Sequence, residues 1–172
     1  TVNDGHGNTA TCTTTVTVVD NLAPTVVCKT FTAYLNNVGT VNIAPNDVFQ
    51  NGADNCGAVN PALVAPSVLN CSNLGANTVT LTVNDGHGNT ASCSTTVNVA
   101  DNIAPTVVCK PFTAYLNDAG TVSIVSNDVF QSGADNCGAV NPALVTPNSF
   151  NCSNLGANTV TLSVNDGHNN TA

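Results

Sequence analysis

The chain has 172 residues, of which 42% are apolar and only 7% are charged, and its net charge is -8. All ten acidic residues are Asp, and only Lys29 and Lys110 oppose them. This charge balance leaves no basic patch for phosphates, which argues against nucleic-acid binding and against attraction to anionic membranes. No uninterrupted apolar run approaches the roughly 20 residues of a membrane-spanning helix. The apolar fraction is nevertheless large enough to predict a folded core.

The sequence repeats itself with a period of 81 residues. Thr82–Ala91 copies Thr1–Ala10, and Ser163–Ala172 nearly copies it again. When residues 20–91 are laid over 101–172, 58 of 72 positions are identical. The pattern predicts tandem repeats, and we expect the chain to be a segment of a longer array. Its units would be the last hairpin of a preceding repeat (residues 1–19), a complete repeat (20–100) and a second repeat without its final strand (101–172).

The elements predicted within one period are almost all strands. In chain order they are a strand at Thr25–Cys28, a hairpin from Phe31 to Ile43 that turns at residues 36–39, a long loop from Pro45 to Gly57, strands near Ala58–Val64 and Val68–Cys71, and a turn through Asn73–Asn77. Gly, Asn and Pro interrupt every candidate helix, so helix is disfavoured.

A final hairpin closes the period, and it carries the clearest pattern in the chain. Residues 78–83 alternate strictly between Thr and apolar side chains, which is typical of a strand with one buried face. The turn at residues 85–89 joins them to a second strand at Thr90–Val99. About seven short strands, with turns every 8 to 12 residues, predict an all-β fold of tandem immunoglobulin-like β-sandwiches.

Three motifs resemble those of a hyalin repeat. They are Val19–Cys28 (VDNLAPTVVC) at the start of the period, Asp54–Cys56 (DNC) in its middle and Val83–Asn89 (VNDGHGN) near its end. Hyalin repeats are immunoglobulin-like modules of secreted adhesive and matrix proteins, including long bacterial surface proteins. The resemblance implies no catalytic residue. Lys29 departs from the family, since many members have Pro after this cysteine.

Eight cysteines, four in each full period, predict disulfides rather than zinc sites, because no Cys-x2-Cys pair occurs. In such a sandwich the first and last strands run parallel from one end, which pairs Cys28 with Cys93. Exclusion then pairs Cys56 with Cys71 and Cys137 with Cys152, and leaves Cys12 and Cys109 without partners in this segment. A rival scheme, Cys12 with Cys28 and Cys93 with Cys109, requires repeats to fold back on each other.

Several acidic positions recur in both repeats and could converge at one pole of each sandwich. We expect calcium ligands there, because this ion prefers carboxylate and amide oxygens. The candidate ligands are Asp20, Asn21, Asp54 and Asp85 in the first repeat, and Asp101, Asn102, Asp135 and Asp166 in the second. The alternative is turn chemistry alone, since Asp side chains hydrogen-bond to their own backbone in loops.

Other chemistry has little support in the sequence. His6, His87 and His168 are interpreted as exposed turn residues, and one His per repeat is too few for a transition-metal site. The chain lacks a strand-to-helix nucleophile turn and a glycine-rich loop before a helix, so we expect no enzyme. Possible glycan acceptors are Asn70, Asn151, Asn169 and the Thr-rich strand faces.

These features predict an extracellular structural protein whose repeats form a semi-rigid stalk, fibre or filament. Its partners would be neighbouring repeats or copies of itself, joined end to end. In one version, residues 11–19 of one chain complete the last repeat of another. The alternative function is a carbohydrate-binding or cell-adhesive module that acts through the polar loops.

Overall fold

The computed structural model describes residues Thr1–Ala172, and strands dominate it, as the sequence predicts for an all-β fold. In chain order the strands are β1 (Val2–Asn3), β2 (Thr9–Ala10), β3 (Thr25–Cys28), β4 (Phe31–Tyr34), β5 (Thr40–Asn42), β6 (Phe49–Ala53), β7 (Asn60–Ala65), β8 (Val68–Asn70), β9 (Gly75–Asn84), β10 (Thr90–Ala100), β11 (Thr106–Cys109), β12 (Thr121–Ser123), β13 (Phe130–Ala134), β14 (Asn141–Thr146), β15 (Ser149–Asn151) and β16 (Thr161–Asn165). The α-helices are single turns, α1 (Pro45–Val48) and α2 (Ser126–Val129), and 3-10 turns lie at Cys71–Asn73 and Cys152–Asn154. No helix has the length and apolar character needed to cross a membrane.

Residues 20–100, called repeat 1 below, contain one four-stranded sheet and two strand pairs. The sheet has the order β4-β10-β9-β7, in which β4 runs parallel to β10 and the other neighbours are antiparallel. The pairs are β3 with β6 and β5 with β8. The β9–β10 hairpin occurs where the alternating Thr and apolar residues predict it.

The core of repeat 1 lies between the four-stranded sheet and the two pairs. Val79, Leu81 and Val83 of β9 are fully buried, and Val97 of β10 joins them. Leu69 of β8 and Val26 of β3 pack against the same cluster from the other side. One continuous core therefore ties the three sheets into a single unit.

Residues 101–172, called repeat 2, reproduce only part of this arrangement. β11–β13, β12–β15 and β14–β16 correspond to β3–β6, β5–β8 and β7–β9. Residues 110–120 contain no strand equivalent to β4, and residues 155–160 do not continue β16 as Gly75–Val79 do in β9. The buried cluster is correspondingly smaller, with five residues instead of eleven.

Two predicted elements are wrong in detail. The turn at residues 36–39 forms, but its flanking strands enter different sheets, since β4 pairs with β10 and β5 with β8. The predicted loop Pro45–Gly57 instead contains α1 and β6. The helical turn is stabilised by Asp47, whose carboxylate accepts a 2.8 Å hydrogen bond from the amide of Ala44.

The disulfides confirm one predicted pairing and overturn another. Cys28 of β3 is bonded to Cys93 of β10, as predicted. Cys71 is bonded to Cys137, so the predicted pairs Cys56–Cys71 and Cys137–Cys152 are wrong, as is the rival scheme. The physical reason is that β7 carries the chain from the pole of Cys56 to the opposite pole, where Cys71 meets repeat 2.

Four cysteines are free and exposed, namely Cys12, Cys56, Cys109 and Cys152. Residues 1–10 form the small β1–β2 hairpin, and residues 11–19 are exposed and pair with no strand. Val16 and Val18 are 79% and 90% exposed. Their equivalents one period later, Val97 and Val99, are buried in the core of repeat 1.

Candidate metal centre

The predicted convergence of acidic residues occurs at one pole of each repeat. In the first cluster, Asp20, Asp54, Asp85 and His87 place one ligand atom each within 4.8 Å of one another. In the second cluster, Asp101, Asp135, Asp166 and His168 do the same. Each set combines three segments of one repeat: the linker at its start (residues 20–24 or 101–105), the loop after β6 or β13, and the last turn. Both clusters can hold a metal ion.

The last turn of each repeat is built locally. Asp85 Oδ1 accepts hydrogen bonds from the amides of His87 (2.7 Å) and Asn89 (3.1 Å), while the Asn89 side chain donates to Oδ2. Asp4 makes the same contacts with His6 and Asn8 in the isolated N-terminal hairpin. The turn therefore forms from its own residues alone. A complete cluster forms only where the linker and the loop after β6 or β13 also contribute a carboxylate.

These hydrogen bonds favour the charged form of the carboxylates. Burial raises the pKa of Asp85, but the bonds from the Asn89 side chain and from the His87 and Asn89 amides outweigh it and hold the pKa below its usual value. The pKa of Asp166 is lowered in the same way through Asn170 and His168. Both turn carboxylates are thus anionic at neutral pH, as ligands for a cation must be.

The linker carboxylates, Asp20 and Asp101, each have a buried oxygen without a hydrogen-bond partner, which favours a bound cation. Asp101 is held at Oδ1 by the amide of Ile103 (3.1 Å) and by Asn136 Nδ2 (3.2 Å). The Asp101 side chain is fully buried, and its Oδ2 atom has no hydrogen-bond partner. Asp20 Oδ2 is also unpartnered, and its side chain is 6% exposed.

The second cluster leaves more polar atoms unsatisfied than the first. Asp135 Oδ1, Asn136 Oδ1 and His168 Nδ1 are buried there without partners. Unpaired buried oxygens carry a desolvation cost that a bound cation would offset. His168 Nδ1 lies 3.8 Å from Asp101 Oδ2, and His87 Nδ1 lies 3.7 Å from Asp20 Oδ2, so a ring borders each site.

The sequence identified most of this site but not all of it. The six predicted Asp residues lie in the clusters. The side chains of Asn21 and Asn102, predicted as further ligands, are exposed. Asn136 of the DNC motif contacts the linker carboxylate instead. His6 and His87 are exposed turn residues, as interpreted from the sequence, whereas His168 is partly buried. His87 and His168 nevertheless belong to the clusters. The available signal was their place directly after the recurring Asp-Gly.

Comparisons with protein-family models, with curated proteins and with solved structures found no match to the chain. Its function must therefore be inferred from its own residues.

Proposed function

We propose that this chain is part of an extracellular structural protein, in which immunoglobulin-like sandwich repeats of the hyalin type form a semi-rigid stalk or fibre. The contact between its two repeats is the observation that carries the proposal. This contact, called the joint, consists of residues 36–39 and Cys71 of repeat 1 and residues 136–137 of repeat 2. A protein that only bound ligands through its loops would need no covalent bond there.

Three kinds of contact restrain the joint. The Cys71–Cys137 disulfide bridges it, with Cα atoms 5.3 Å apart. Asn136 Nδ2 donates a 3.1 Å hydrogen bond to the carbonyl of Asn36. The linker is held as well, because Asp101 is buried at its start and Pro105 is buried and fixes its own φ. A disulfide, a hydrogen bond and a short stiff linker together support a fixed angle between repeats.

Calcium at the second cluster fits this role. The cluster has three carboxylates, and two of them, Asp101 and Asp135, have a buried oxygen without a hydrogen-bond partner. This donor set suits a hard cation. The linker residue Asp101 and the repeat 2 residues Asp135 and Asp166 would ligate it together, so the ion would bind the linker to the repeat that follows. The two disulfides support an oxidising, extracellular location.

Small-angle X-ray scattering tests the mechanical proposal. The wild-type chain should behave as one extended particle with a narrow distribution of lengths. The C71S/C137S variant should show a broader distribution, because only noncovalent contacts would hold the joint. The control variant is C56S/C152S. Cys56 and Cys152 are the period equivalents of Cys137 and Cys71 but are free, so this variant should scatter as the wild type does. Equal scattering of all three would contradict the proposal.

A further inference from the structure

The second cluster lies directly beside the joint. Three successive residues show this: Asp135 belongs to the cluster, Asn136 donates a hydrogen bond to repeat 1, and Cys137 forms the disulfide with Cys71. A carboxylate ligand, a hydrogen-bond donor and a covalent bond to repeat 1 therefore share one loop of repeat 2. A movement at the joint is transmitted to the cluster by this loop.

Asn136 also connects repeat 1 to the linker carboxylate. Its Nδ2 atom donates to the carbonyl of Asn36 (3.1 Å) and to Asp101 Oδ1 (3.2 Å). The other oxygen of Asp101, Oδ2, faces the cluster, because it lies 3.8 Å from His168 Nδ1. This oxygen has no hydrogen-bond partner, and the side chain that carries it is fully buried. Repeat 1 therefore orients a candidate ligand through one side chain.

The turn of repeat 1 approaches the same loop closely. Cys71 Sγ lies 3.3 Å from the carbonyl oxygen of Asn136. A Cβ atom at Gly39 would lie only 2.6 Å from that oxygen, so the joint requires glycine at this position. The φ of +72° at Gly39 favours glycine as well. The two repeats are thus in direct contact at the loop that carries Asp135.

The second cluster is also less exposed to water than the first. The two clusters consist of the same residue types at equivalent positions, but no hydrogen bond joins the first cluster to another repeat. The exposed fraction of the side chain is 6% for Asp20 and 0% for Asp101, and it is 48% for His87 and 31% for His168. A cation and a carboxylate attract each other more strongly where water is excluded. The environment of the second cluster therefore favours calcium more than that of the first.

We infer that the joint and the second calcium site are thermodynamically coupled: closing the joint raises the calcium affinity of the second cluster, and calcium binding in turn favours the closed joint. Repeat 1 acts by orienting Asp101 through Asn136 and by excluding water from the carboxylates. Asn136 is a positioning residue in this scheme, and the carboxylates are the ligands. The inference rests on the proposed structural role and adds its regulation, since the concentration of free calcium would set the stiffness of the joint.

The test isolates each site in the full chain. Asp20→Asn leaves only the second cluster complete, and Asp101→Asn leaves only the first. Each chain is titrated with calcium chloride by isothermal titration calorimetry, with and without the additional substitutions C71S/C137S. In the Asp20→Asn chain we expect loss of the disulfide to weaken calcium binding by at least about fivefold, the lower end of typical coupling between two sites.

The first cluster is the internal control. In the Asp101→Asn chain, C71S/C137S should leave the dissociation constant for calcium unchanged, because that cluster has no hydrogen bond to the joint. The inference is overturned if the second cluster binds calcium equally well with and without the disulfide, if it binds none, or if both clusters are weakened equally.

A second variant opens the joint without touching a cysteine or a cluster residue. In the Asp20→Asn chain, Gly39→Ala forces the turn of repeat 1 away from Asn136 and should also weaken calcium binding. Gly120→Ala is the matched control, because Gly120 has the same φ of +72° and a Cβ there meets only Cys152 Sγ, within repeat 2. Equal calcium affinities of the two variants would contradict the coupling.

A double-mutant cycle tests the role of Asn136. In the Asp20→Asn chain, Asn136→Ala alone should weaken calcium binding. Combined with C71S/C137S, it should weaken binding by less than the product of the separate effects, because repeat 1 acts on Asp101 through Asn136. A purely structural contribution of Asn136 would give independent effects that multiply, and this result would overturn its positioning role.

The reverse effect follows from linkage and is measured by small-angle X-ray scattering. Calcium should narrow the length distribution of the C71S/C137S chain, and adding Asp101→Asn to that chain should abolish the response. If the wild-type joint is stiff but calcium affinity does not depend on it, this inference fails while the proposed structural role stands. If calcium affinity depends on the joint but the wild-type chain is flexible, the stalk proposal fails and the coupling stands.

Discussion

The side-chain amide of Asn136 donates a 3.1 Å hydrogen bond to the backbone carbonyl of Asn36, one hundred residues earlier in the chain. The same amide donates to Asp101 Oδ1 at 3.2 Å. One side chain therefore links repeat 1, the linker and the DNC loop of repeat 2. The contact joins residues that are far apart in the sequence, so substituting Asn136 tests the joint directly.

We expect Asn136→Ala to lower the free energy of unfolding of repeat 2 by about 1–3 kcal/mol, because a buried carboxylate and a carbonyl each lose a donor. Thermal and chemical denaturation followed by circular dichroism would measure the change. Asn55→Ala is the matched control, since Asn55 is the period equivalent and its side-chain amide contacts only its own repeat, at Asp20 Oδ1 (3.5 Å) and Cys56 Sγ (3.3 Å). An equal loss for both variants would show that the joint contact contributes nothing.

Calcium titration tests the clusters. We expect two ions per chain by isothermal titration calorimetry, and a melting temperature that rises with calcium concentration because only the folded state binds. Asp101→Asn should remove one site and its share of the stabilisation. Asp118→Asn is the control, because it makes the same charge change at a turn where repeat 1 already has Asn at the equivalent position, Asn37. This variant should still bind two ions. Preference for zinc or manganese over calcium would contradict the choice of ion.

The sequence predicts the parts of the fold that local patterns determine. Strict alternation over residues 78–83 indicated β9, and Asp85-Gly86 indicated the turn after it. α1 was missed because a single helical turn is too short to leave a 3.6-residue period. The separation of β4 from β5 was missed because sequence-neighbouring strands joined by a tight turn usually pair.

The error over the disulfides has a different cause. In an exact repeat, the mate of Cys71 can be Cys56 in the same period or its equivalent Cys137 one period later, and spacing alone does not distinguish them. The distinction depends on which pole each loop reaches, and therefore on strand directions in the folded chain. The clusters were partly predictable for the opposite reason, since the linker and the last turn flank one pole in any sandwich with this order of strands.

The Cys28–Cys93 disulfide should account for much of the stability of repeat 1. It closes a loop with a sequence separation of 65, so loop-closure entropy gives about 4 kcal/mol. We expect C28S/C93S to lower the free energy of unfolding by about this amount in urea, with the free thiols of all samples alkylated. The variant C12S/C109S removes the free period equivalents and should unfold as the wild-type monomer does; a comparable loss there would contradict the assignment.

The thiol of Cys56 should react slowly with alkylating reagents despite its exposure. Partial desolvation of the sulfur raises its pKa, and the nearby charges of Asp20, Asp54 and Asp85 raise it further. Because the thiolate is the reactive form, the rate at pH 8 should be low and should increase as the pH rises. Asp20→Asn should accelerate iodoacetamide labelling of Cys56, followed by mass spectrometry, since one repelling charge is removed. Asp118→Asn also removes one negative charge, but Asp118 lies in repeat 2, so this variant should leave the labelling rate of Cys56 unchanged. If both variants accelerated labelling, the cause would be the overall charge of the chain and not the carboxylates beside the thiol.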